Sequence, residues 1–63
     1  MKYFYELIEI DKGWKWKIFD ESGKVLKTSS NRYHVKDEAN FIVKMWAKQM
    51  FGIEVELKTN AII

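Results

Sequence analysis

Gly13-Trp14-Lys15-Trp16-Lys17-Ile18-Phe19 is the stretch that decides the fold. Large apolar groups alternate with lysines, which is the two-residue period of a strand buried on one face. Trp14, Trp16 and Ile18 fall on one side, and Lys15, Lys17 and Phe19 on the other. The tryptophan side is expected to face the core, so any function carried by this strand belongs to the lysine side.

The segment N-terminal to it, residues 2–10, reads as a strand as well. Tyr3, Tyr5 and Leu7 are assigned inward, because the opposite set shares its face with Lys2 and Glu6, and an unpaired buried carboxylate is costly. Phe4, Ile8 and Ile10 then lie outward. Asp11-Lys12-Gly13 reads as the connecting turn, with glycine available for a positive φ. After a second turn over Asp20 to Gly23, residues 24–30 form a third strand, in which Val25 and Leu26 are the only large apolar residues. Three strands joined by tight turns make an antiparallel meander.

Ser29 to His34 is polar and irregular. Apolar residues then recur at helical spacing from Asp37 to Phe51, with Asp37 and Glu38 at the end favoured by the helix dipole. Ala39, Ile42, Val43, Trp46 and Met50 form the inward stripe, Lys44 and Lys48 mark the wet side, and Phe41 and Met45 occupy a flank that the stripe does not need. Gly52 is the expected cap. Ile53 to Lys58 alternates again, as a fourth strand with Ile53, Val55 and Leu57 inward. The expected fold is α+β and the order β-β-β-α-β: a meander of three strands, one helix across one face, then a fourth strand. Residues 1–63 make one domain. Its last residues, Ala61, Ile62 and Ile63, are expected either to dock or to fray.

Composition narrows the class. Hydrophobic residues make up 48% and aromatics 16% of the chain, which separates it from disordered sequences. There is no cysteine, hence no disulfide framework or thiolate site. A domain of 63 residues without such staples needs dense aromatic packing or a partner subunit. No apolar run is long enough for a membrane span or a signal peptide, so a soluble, cytoplasmic protein without membrane association is expected. The net charge of +2 is too small to demand a nucleic-acid partner.

Tyr5-Glu6-Leu7, Trp14-Lys15-Trp16-Lys17-Ile18, Ser22-Gly23-Lys24-Val25-Leu26, Ser29-Ser30, Tyr33, Lys36 and Ala39 together resemble the YegP-like family of small domains. The resemblance covers about three-quarters of the chain. It departs at Asn40-Phe41-Ile42, where that family has Asn-Gly-Ile, and after Gly52, where another strand follows. It implies a β-β-β-α unit that dimerises, and no catalytic residues. Trp14 to Ala47 is also similar, more weakly, to the arm-type DNA-binding domain of tyrosine integrases, in which a three-stranded sheet backed by a helix enters the major groove.

Two surfaces stand out. Phe4, Ile8, Ile10 and Phe19 form an apolar set on the face away from the helix, and contiguous exposed apolar patches mark interfaces. A homodimer is the simplest partner, with flanking lysines and glutamates as the polar rim. Lys12, Lys15, Lys17, Lys24 and Lys27 stand against only Asp20 and Glu21 in residues 12–27, a local balance of +3. With Arg32 they are the candidates for a nucleic-acid face. One arginine is too few for base readout. A binder or regulator of another protein is the third expectation. His34 has no partner for zinc chemistry or general-base work. Ser29 and Ser30 belong to no nucleophile motif, and Glu6, Glu9, Glu54 and Glu56 are expected to pair with lysines of neighbouring strands. The chain is therefore expected to be non-enzymatic and to need no cofactor or metal.

Overall fold

The structure is a computed structural model that describes residues 2–58. Its elements are β1 (Tyr3–Ile10), β2 (Gly13–Asp20), β3 (Val25–Thr28), α1 (Lys36–Trp46), a π-helical turn (Ala47–Phe51) and β4 (Val55–Leu57). The α+β class and the β-β-β-α-β order are those expected. The sheet runs β3-β2-β1-β4 and is mixed rather than purely antiparallel, since β4 returns parallel to β1. The expectation for Ala61, Ile62 and Ile63 lies outside the described residues.

The register of the central hairpin follows from parity. Inward residues are odd-numbered in β1 and even-numbered in β2, and directly paired residues must share a face. Tyr5 accordingly pairs with Ile18, Leu7 with Trp16 and Ile10 with Gly13. The loop is then Asp11-Lys12 alone, and Lys12 takes the positive φ of 57°. Gly13 belongs to the strand instead. What it needs is space, because a Cβ there would meet Arg32 Cγ at 2.3 Å and Tyr33 O at 3.0 Å.

β3 is shorter than the expected 24–30. A bulge between Ile18 and Phe19 sets Lys27 opposite Ile18 and Val25 opposite Phe19, leaving Leu26 as the extra residue to pack against the core. Beyond Thr28 the buried Ser29 continues the pairing with its side chain. Its N–H donates to Trp16 O at 2.8 Å, and its Oγ accepts the Trp16 N–H at 3.1 Å. Tyr33 then exchanges two backbone hydrogen bonds with Trp14. The loop that reads as irregular therefore completes the ladder of β2, satisfying backbone groups that would otherwise be orphaned.

α1 begins one residue before Asp37. Its N-cap is Val35, with no side-chain cap, and Asp37 and Glu38 lie in the first turn. Ala39, Val43 and Ala47, four apart, bring the helix onto Tyr5, Trp16 and Ile18, and these six form the buried core. Trp46 packs on Trp16 with ring centroids 5.6 Å apart. The expected stripe fails at Met50, which is 64% exposed. The π turn adds a residue to the last revolution, so Phe51, five positions after Trp46, packs edge-on against it at 5.3 Å. Gly52 then caps the segment in the left-handed conformation at φ 68°, as expected. Leu57, expected inward, is 45% exposed because β4 is a short edge strand. Tyr5 donates its hydroxyl to Asn40 Oδ1, and burial raises its phenol above the usual 10.0.

Candidate interaction surface

With α1 against the inner face, the outer face of the sheet is built from the other half of each alternation. Its central row runs across all strands: Val25 opposite Phe19, Phe19 opposite Phe4, and Phe4 opposite Glu56. The two phenylalanine rings lie 6.0 Å apart, tilted by 33°, within the range of favourable aromatic pairs. The next row places Glu6 opposite Lys17, and Lys17 Nζ lies 3.3 Å from the Glu6 carboxylate. Then come Ile8 opposite Lys15 and Ile10 opposite Gly13.

Phe4, Ile8, Ile10 and Phe19 thus share one face, with the Glu6–Lys17 pair between the phenylalanines and the isoleucines. Val25, 47% exposed, extends it; sequence reasoning left it out because the bulge decides which way it faces. Two lysines lie over the aromatic rings, Lys17 over Phe19 at 5.7 Å and Lys58 over Phe4 at 5.2 Å. Their stems cover apolar surface while their charges stay wet.

The basic residues do not gather in the same way. Lys15 and Lys17 stand on the outer face, and Lys17 is engaged by Glu6. Lys27 falls opposite Ile18 on the inner face, where its ammonium lies 5.5 Å from the Trp46 ring centroid. Lys12 sits in the hairpin loop and Lys24 in the β2–β3 turn. Arg32 crosses Gly13 and donates from Nη1 to Asp11 O at 3.1 Å. Six cations that are close in sequence are thus divided among two sheet faces and two turns.

Phe41, 63% exposed, and Met45, 39% exposed, stand on the solvent side of α1. His34 is exposed. Among the described residues no cluster of His, Cys, Asp and Glu is placed to hold a metal, and no helix is long and apolar enough to cross a membrane. No protein-family model matches the chain, and neither a curated protein nor a solved structure does.

Proposed function

We propose that the chain works, without catalysis, by self-association through the outer face of its sheet. The observation that carries this reading is the row Val25, Phe19 and Phe4, with Ile8 and Ile10 beyond the Glu6–Lys17 pair, on the face away from α1, where Val25 and Ile8 are exposed and the two phenylalanines half-buried. A second copy is the occupant that fits by charge. The face carries both Glu6 and the lysines Lys15 and Lys17, so two copies related by a two-fold axis along the strands set β1 of one over β2 of the other. Acid then meets base in both directions, as an isologous interface requires.

The molecule is a slab of 33 × 33 × 16 Å, and its strands of eight, eight, four and three residues cover roughly 360 Å² in projection. The dimer implied by the YegP-like resemblance points in the same direction.

The dispersal of the lysines disfavours a nucleic-acid platform, and the two readings separate by experiment. Self-association predicts that the methyl resonances of Ile8, Ile10 and Val25 shift on dilution while those of Met45 stay fixed. Retention on DNA or RNA at low salt, lost in a Lys15→Ala/Lys17→Ala variant, together with dilution-independent methyl resonances, would replace it with the nucleic-acid reading.

A further inference from the structure

Two backbone irregularities interrupt the regular elements, the β-bulge opposite Ile18/Phe19 and the π turn after Trp46, and both border the same cavity. Bulges and π turns recur beside functional sites, where they re-aim side chains. Here the bulge turns Leu26 inward and the π turn swings Phe51 across the end of the sheet. With Tyr3, Ile53, Asp20 and Lys24 they line an open depression of about 260 Å³ on the helix side, away from the outer face. An apolar cavity of about 150 Å³ already holds one benzene ring.

The polar end of this cavity is built. Asp20 is 7% exposed. Its Oδ1 accepts from Ser22 N, Ser22 Oγ and Lys24 N at 2.9, 2.5 and 3.0 Å. Among the described residues none donates to Oδ2. The Ser22 hydroxyl bond, against the opposing effect of burial and with help from the two backbone donors and the Lys24 charge, holds the carboxyl below its usual 3.8. The group is ionised at neutral pH. Lys24 Nζ, on the same rim, forms no ion pair with a described residue.

We propose that this cavity binds a free apolar α-amino acid. The ammonium donates to Asp20 Oδ2, the carboxylate meets Lys24, and the side chain lies between Tyr3, Leu26 and Phe51. This assignment is independent of self-association through the other face.

The test is an amide NMR titration of the full chain with L-phenylalanine and L-leucine, and with phenethylamine and 3-phenylpropionate, each lacking one charged group. Saturable shifts are expected at Tyr3, Lys24, Leu26, Phe51 and Ile53. Loss of the ammonium should weaken binding about tenfold or more, the size of one charge-assisted hydrogen bond. Lys24→Ala, an exposed change, should weaken L-phenylalanine severalfold and leave phenethylamine unaffected. No saturable shift up to the solubility of either amino acid would overturn the proposal. So would equal affinities for all four compounds, or a Lys24→Ala effect that is the same for amine and amino acid.

Discussion

Trp16 joins the sheet to the helix. It is 3% exposed, stacks on Trp46, and both its backbone groups are held by Ser29. Truncation to alanine should cost about 3–5 kcal/mol, as for other buried aromatics. Its indole Nε1, however, is buried without a hydrogen-bond partner among the described residues. An unpaired buried donor is itself costly, so Trp16→Phe, which removes it, should cost well under half of the alanine change in urea denaturation.

Asp20 offers a test by pH. Its carboxyl titrates lower in the folded chain than its usual 3.8. Its contribution to stability is therefore complete above that value and is lost as pH falls through the lower folded one. The urea midpoint of the wild type should fall below pH 4, and Asp20→Asn should flatten that part of the decline.

At the scale of elements, alternation carried most of the information. The inward sets of β1 and β2 were legible because Glu6 excludes the opposite choice, and their parity also requires an even number of loop residues, which rules out three. Counting Gly13 into the turn overlooked that constraint and put the positive φ at the wrong residue. Lys12 holds it at 57°, a conformation that opposes a β-carbon by about 1 kcal/mol. Lys12→Gly should raise stability by up to about 1 kcal/mol, read as a higher denaturation midpoint at unchanged slope.

What escaped sequence reasoning depends on contacts between elements. Ala47-Lys48-Gln49-Met50-Phe51 continues an ordinary helical pattern, so nothing local signals a π turn. Only the five-residue interval from Trp46 to Phe51, two aromatics that meet in space, hints at it. The bulge that turns Leu26 inward and leaves Val25 outside is likewise set by pairing with β2. The parallel return of β4 rests on a three-residue strand, too short to declare its neighbour. Of the candidate residues, Phe4, Ile8, Ile10 and Phe19 fall on one face because their placement rests on alternation. The lysine set dispersed because proximity in sequence across two turns does not fix a common face.

At the scale of the whole molecule, a slab 16 Å thick has one face closed by a helix and one left open. So thin a domain has little interior. Burying Phe4, Phe19, Ile8 and Val25 against a second copy adds apolar area at about 25 cal/mol per Å², offset by the entropy of association. The acid–base alternation on the face favours a closed pair over an open chain of copies. The most direct measurement is sedimentation equilibrium of the wild type and Phe4→Asp over a range of concentrations, with circular dichroism to verify folding. The wild type should approach twice the 7.6 kDa of one chain, and Phe4→Asp should remain folded at the single-chain mass. A wild type that stays at the single-chain mass throughout, or a folded Phe4→Asp that still doubles it, would contradict the account.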